Sequence, residues 1–270
     1  MAMLIGVAIA AALSAPAHAD GVSLATFRSV HDLVLDSSAP SESLLSVKAR
    51  LVTEFTGSTC KGYTDQTRFV METTDKDGTR QTSDLRQLTV ETVGRHFTFD
   101  ERVYADNKLA EQSVGSADRA DSGVISVTLA KPAQKELSLP AAVLFPTELL
   151  QKTLAAAVDG KRFLTFDLYS GDSEGETVYS TSTVIGPMLT SADAGTDGPL
   201  AQTPFAALPH WAVTISYFDK KKAGDPNPLY ATSYVVYQNG MVGHLRIIYA
   251  DFALVGTLTS LDVLPAAPCP

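Results

Sequence analysis

Apolar residues recur at every second position along most of this chain, and that period restricts the fold more than any other feature. In one run Val47, Ala49, Leu51, Thr53 and Phe55 alternate with Lys48, Arg50, Val52 and Glu54. Side chains point alternately to the two faces of an extended strand, so this run reads as a strand with one face buried. The same style recurs over 63–73, 80–92, 95–99 and 122–129, which makes the first half strand and turn. Thr74-Asp75-Lys76-Asp77-Gly78 is a turn with a glycine where the backbone needs positive φ. Strands resume at 162–169 and 176–186, on either side of the acidic tip Gly171-Asp172-Ser173-Glu174-Gly175. Further strands are expected at 211–218, at 230–237 and 244–249 around a Gln238-Asn239-Gly240 hairpin turn, and at 251–264. Thr190 to Pro204 is rich in Ala, Gly, Asp and Pro and reads as a flexible loop.

One helix interrupts this pattern. Pro146 near its start, Glu148 in its first turn and Asp159-Gly160 at its end bound it at about 147–158. Leu149, Leu150, Leu154, Ala157 and Val158 form its apolar face, as expected of a helix packed on a sheet. Many antiparallel strands with so little helix predict an all-β fold, a barrel or rolled sheet with one or two short packing helices. No sharp boundary divides the chain after its leader, so residues 20–270 are expected to form a single domain.

The leader is the apolar run from Met3 to Leu13, followed by Ser14, Pro16 and Ala17-His18-Ala19. It is too short for a membrane span and ends in a small-x-small site, so residues 1–19 read as a secretory signal. No Lys or Arg precedes the run; either the amino terminus supplies the positive charge or the start lies upstream. No cysteine follows the cleavage point, and a lipoprotein anchor is not expected. The net charge of -9 repels nucleic acid and anionic head groups at long range, but leaves open the burial of lipid tails. Lys220-Lys221-Lys222, the one basic run, reads as a solvated turn. No later stretch is long and apolar enough for a spanning helix. An outer-membrane barrel needs strands of about ten residues with apolar outer faces. Several strands here are charged on one face, which fits a soluble sheet.

An exported chain with two cysteines usually joins them. Cys60 and Cys269 would close a loop of about 210 residues and tie the chain's end to its first quarter, a structural bond with no C-x-x-C spacing for redox work. Gly171-Asp172-Ser173-Glu174-Gly175 matches the G-x-S-x-G nucleophile elbow, with His244 downstream, but an elbow needs a helix after it. The residues that follow are β-branched and alternating, so Ser173 sits in a hairpin tip. Asp75-Lys76-Asp77-Gly78 has its glycine at position four and Arg86 at position twelve, which fails the EF-hand pattern. His31, His96, His210 and His244 lack metal-ligand spacing and read as surface or strand histidines. Trp211, Tyr217 and Phe218 line a possible ligand groove or pack a core strand. No catalytic constellation, metal or cofactor is expected.

Several segments taken in order resemble the proteobacterial cell-envelope integrity proteins called EipB. They are Val47-Lys48-Ala49-Arg50-Leu51, Cys60-Lys61-Gly62-Tyr63-Thr64, Leu144-Phe145-Pro146-Thr147-Glu148-Leu149-Leu150 and Leu168-Tyr169 through Gly175. Later matches are Val184-Ile185-Gly186, Trp211 through Phe218 and Tyr249 through Leu258. The family pairs a cysteine at the position of Cys60 with one near the C-terminus, where Cys269 stands. The resemblance implies a periplasmic protein with a broken, spiral-like antiparallel sheet that maintains envelope integrity. A non-enzymatic role through contact with another envelope protein, or with a cell-wall or lipid component, is the first reading. A carrier of a lipid or other apolar ligand is the second, and a serine hydrolase using Ser173 the third.

Overall fold

The computed structural model describes residues 23–189, 198–222 and 226–269, without the side chains of Ser173 and Lys222. The expected leader, residues 1–19, lies outside them, as do residues 190–197 of the expected loop. The strands are β1 (Phe27–Leu35), β2 (Leu44–Ser58), β3 (Gly62–Asp75), β4 (Arg80–Thr92) and β5 (His96–Ala105). They continue with β6 (Lys108–Arg119), β7 (Ile125–Lys131), β8 (Lys135–Leu139), β9 (Val143–Leu144) and β10 (Phe163–Leu168). The last five are β11 (Tyr179–Leu189), β12 (His210–Asp219), β13 (Tyr230–Tyr237), β14 (Val242–Ile248) and β15 (Ala253–Val263).

All fifteen join one sheet in the order β8-β7-β6-β5-β4-β3-β2-β1-β15-β14-β13-β12-β11-β10-β9. Every neighbouring pair is antiparallel except β9 with β10. The first and last strands therefore lie side by side, with Phe27 opposite Val263, and the free edges belong to β8 and β9. The sheet rolls until those edges meet through side chains. Phe97 and Phe99 of β5 and Leu129 of β7 pack against Val143, Phe145 and Tyr169 from the other edge. The rings of Phe97 and Phe145 stack at 5.3 Å. Arg119 of β6 donates to the carbonyls of Gly94, Ala141 and Val143 and to the Glu148 carboxylate, which fastens the seam. The result is a barrel-like spiral whose edges are packed, not hydrogen-bonded as strands.

The helix α1 (Pro146–Val158) follows β9 directly, starting one residue before the expected boundary. Leu149, Leu154, Ala156 and Ala157 are buried, and α1 ends where the Lys161 N–H donates to Ala156 and Gly160 takes a φ of 73°. Val158, expected on the apolar face, is 55% exposed because the helix has already turned past the sheet.

Other expectations need correcting. The strand expected over 95–99 runs on to Ala105, and the one expected from Ser122 starts at Ile125 and ends at Lys131. β1, β6, β8 and β9 are not among the expected strands. Leu44 and Leu45 are part of β2, which is longer than its alternating stretch. Within the loop expected at 190–204, Gly198–Ala201 forms a helical turn whose Leu200 is fully buried, and Pro204–Ala207 forms another. Apolar contact, not chain flexibility, governs that part. Lys220–Lys222 is a single helical turn, and Lys220 pairs with Asp167.

Candidate functional site

The strands place two kinds of inward side chain on neighbouring rows. One row runs Phe27, Phe55, Asp65, Thr89 and Phe99 across β1 to β5. The next runs Ser29, Thr53, Thr67, Gln87, Glu101 and Ser113 across β1 to β6. Every member of the second row is polar, so a polar belt crosses an interior that the sequence pattern reads as core. Its members bond to one another and to the first row: Thr53 Oγ1 lies 3.2 Å from Thr67 Oγ1, Gln87 Nε2 donates to Glu101 at 3.0 Å, and Thr67 Oγ1 donates to Asp65 of the first row at 2.8 Å. Cross-strand hydroxyl and amide pairs of this kind satisfy buried polar groups at modest cost.

Between this wall and β12 to β14 lies a cavity of about 370 Å³, room for roughly a dozen water-sized groups. Its apolar surface includes Phe27, Phe55, Leu149, Leu168, Ile215 and Met241. Its polar surface includes Ser29, Thr53, Asp65 and Thr89 on one side and Tyr217 and Tyr234 on the other. His31 also lines it, while among the described residues no lysine or arginine does. Asp65 is half-buried and borders this space. Burial pushes its carboxyl above the ordinary aspartate range, against the Thr67 hydrogen bond that favours the charged form. Burial likewise raises the Tyr217 and Tyr234 hydroxyls. The Tyr217 and Tyr230 rings stack at 4.4 Å, and Tyr179 stands edge-on to both.

Of the three groove residues named from the sequence, the cavity takes Tyr217. Trp211 is buried in the adjoining apolar cluster with Val213 and Ile215. Phe218 is one residue out of step with these and so projects from the other face of β12. His210 is buried against the Tyr237 ring at 4.6 Å, and His96 bonds Asp118 on the surface at 2.6 Å. His31, expected to be a surface or strand histidine, lies on β1 and also lines the cavity.

The glycines of the Gly171–Gly175 tip have a packing reason. Both have a φ of 74°; a Cβ on Gly171 would lie 2.3 Å from the Phe99 ring, and one on Gly175 would lie 2.6 Å from Leu129. Ser113 Oγ donates to the Gly171 carbonyl at 2.6 Å and Tyr169 Oη to that of Gly175 at 2.8 Å. The tip is pressed onto the seam, and the next element is a strand, β11. On the surface, Cys60 in the β2–β3 turn is bonded to Cys269, with Cα atoms 5.8 Å apart. No helix among the described residues is long and apolar enough to cross a membrane.

Comparison with known proteins adds three findings. The sequence profile of the family described as EipB-like matches residues 18–265. The cell envelope integrity protein EipB of Brucella abortus (strain 2308) is 30% identical over 246 residues, covering 91% of this chain and 86% of the relative. A solved β-barrel-like protein of a domain of unknown function from Brucella abortus superposes with a TM-score of 0.83 at 29% identity. It covers 90% of this chain and 100% of its own.

Proposed function

Because the chain belongs to the EipB-like family, we propose that it is a non-enzymatic periplasmic protein that supports cell-envelope integrity by binding another envelope component. The observation that carries this reading is the match, over 91% of the chain, to a relative named for envelope integrity. The leader at residues 1–19 supports export of a single domain, residues 20–270. The Cys60–Cys269 bond suits an oxidising compartment. The tight packing of Gly171 and Gly175 gives the G-x-S-x-G pattern a structural purpose, which favours a binding role over a hydrolase.

The test is a strain without this protein, challenged with detergent and with cell-wall antibiotics. Sensitivity is expected, with rescue by the full chain and none by a chain starting at Asp20. Wild-type tolerance of the deletion strain would sink the envelope role. Full rescue by the leaderless form would sink the periplasmic placement. Ser173→Ala is expected to rescue fully; failure of a folded Ser173→Ala protein would instead favour the hydrolase.

A second reading is favoured by the interior cavity: carriage of a lipid or other apolar ligand. Its volume falls within the range of small-molecule sites, and its wall is mostly apolar. Native mass spectrometry of the protein purified from its own periplasm reads this directly. Added mass that resolves to a lipid supports carriage, and a bare chain sends the search to protein or cell-wall partners.

A further inference from the structure

We propose that the cavity selects a single-chain amphiphile whose head group donates hydrogen bonds and carries no negative charge. This rests on the carrier reading and names the class of cargo. The apolar residues Phe27, Phe55, Leu149, Leu168 and Met241 would receive the chain. The head would meet Ser29, Thr53, Asp65 and Thr89 from the sheet, with Tyr217 and Tyr234 opposite. Asp65 is the deciding group. Its Oδ1 is already bonded to the Thr67 hydroxyl at 2.8 Å, and Thr67 in turn meets Thr53. Asp65 thus faces the cavity as an acceptor held in place by two threonines.

A hydroxyl or amine brought to this carboxyl makes a bond strengthened by the low local dielectric. A phosphate, sulfate or carboxylate brought there finds an acid where it needs a cation, and no lysine or arginine in the lining offsets its lost hydration. His31 is the one basic side chain in the lining. Glu101 extends the acidic character along the belt, since it occupies the row next to Asp65. The size of the cavity, about 370 Å³, suits a single chain.

The experiment compares 1-O-dodecylglycerol with dodecyl phosphate, two probes with the same chain and different heads; the first is the glycerol probe. Calorimetric titration of the disulfide-intact protein is done at about pH 8, with both probes below their micelle concentrations. The glycerol probe is expected to bind at least about tenfold more tightly. In Asp65→Asn, which keeps the shape and removes the acid, that ratio is expected to fall towards one. Equal affinities, or tighter binding of the phosphate, would overturn the head-group inference and leave carriage standing. Saturable binding of neither probe would overturn both. The wild-type ratio decides the matter even where the variant fails to fold. A preference that persists undiminished in folded Asp65→Asn would remove Asp65 from its role and with it the proposal.

Discussion

Glu91 does for α1 what Phe145 at the helix N-cap has no side-chain oxygen to do. The first N–H groups of a helix have no partner within it. Here the Glu91 carboxylate, from β4, accepts from Thr147 N at 2.7 Å, Glu148 N at 3.0 Å and Gly94 N at 3.5 Å. Glu91 is 2% exposed, and burial outweighs these donors, pushing its carboxyl up to about 7 from 4.5. Between those values the folded chain holds more protons than the unfolded one, so stability falls as pH rises through that window. Asp65 and Asp172, also raised by burial, act in the same sense. The melting temperature is therefore expected to decline from about pH 5 to about pH 8, and Glu91→Gln should flatten that decline. Near pH 5 the wild-type carboxyl is itself neutral, so Glu91→Gln should lose no more than roughly 1 kcal/mol there, for the amide NH2 that takes the place of its hydroxyl. An unchanged pH slope in the variant would show that Glu91 is not the group responsible. Gly171 makes a second test at this scale. Its φ of 74° and the Phe99 ring 2.3 Å from a built Cβ lead Gly171→Ala to lose roughly 2–4 kcal/mol of urea-derived stability. A loss under about 0.5 kcal/mol, the ordinary surface range, would mean that the seam accommodates a methyl group.

β3, β4 and β5 carry Arg68, Arg86 and Arg102 directly opposite one another on the outer face. Like charges in register destabilise a sheet. Asp84 answers two of them, at 2.9 Å from Arg68 and 2.7 Å from Arg86, and Asp100 answers Arg102 at 2.8 Å. The hydrogen bond from Arg68, then that from Arg86, holds the Asp84 carboxyl down at about 2, against its partial burial. Its folded value lies below its unfolded 3.8, so its contribution is present above that value and fades as pH falls towards 2. Asp84→Asn is expected to lose about 1–2 kcal/mol near neutral pH, less in high salt, and almost nothing near pH 2. A loss independent of both pH and salt would point to shape, not charge. The sheet was legible wherever one face is buried, as in 47–55, and the helix was bounded by Pro146 and Gly160. β6 was not, because Lys108, Leu109, Ala110 and Glu111 are all exposed and leave no alternation. Its turn uses Asp106 and Asn107 at φ values of 48° and 64°, without a glycine to mark it. The cavity was half legible. Asp65 shares its strand face with Tyr63, Glu101 with Phe97 and Phe99, and Ser29 and His31 with Phe27 and Leu33. Polar residues in step with buried aromatics were the signal, and only the rolled sheet reveals that they converge.

At the scale of the molecule the chain closes on itself twice. β1 and β15 join its ends inside the sheet, and the Cys60–Cys269 bond joins the tail after β15 to the β2–β3 turn. The order β2-β1-β15 already brings these segments close, so a bond across 209 residues of sequence spans only one strand of the sheet. Among the described residues few other bonds hold the tail: Leu264 N donates to Thr26 O at 2.9 Å, Thr26 Oγ1 donates to Leu264 O, and Ala267 N donates to Gly57 O at 3.3 Å. The bond therefore acts on two states. In the folded chain it pins a thinly attached tail; in the unfolded chain it removes loop-closure freedom, about 5 kcal/mol in the entropy model. The first effect is local and leaves the strand content intact when the bond is lost, because β1 and β15 still pair. The second lowers the melting temperature, by roughly 10 °C or somewhat more in a chain of this size. Cys60→Ser, Cys269→Ser and the double variant should melt at the same temperature, since either substitution removes the whole bond. Reductant should bring the wild-type protein down to that value and leave the variants unmoved. Variants that melt with the oxidised wild type would show that the sheet's own closure is sufficient and that the bond does not stabilise the fold. Variants that lose their far-ultraviolet strand signal would show that the β1–β15 pairing itself depends on the bond.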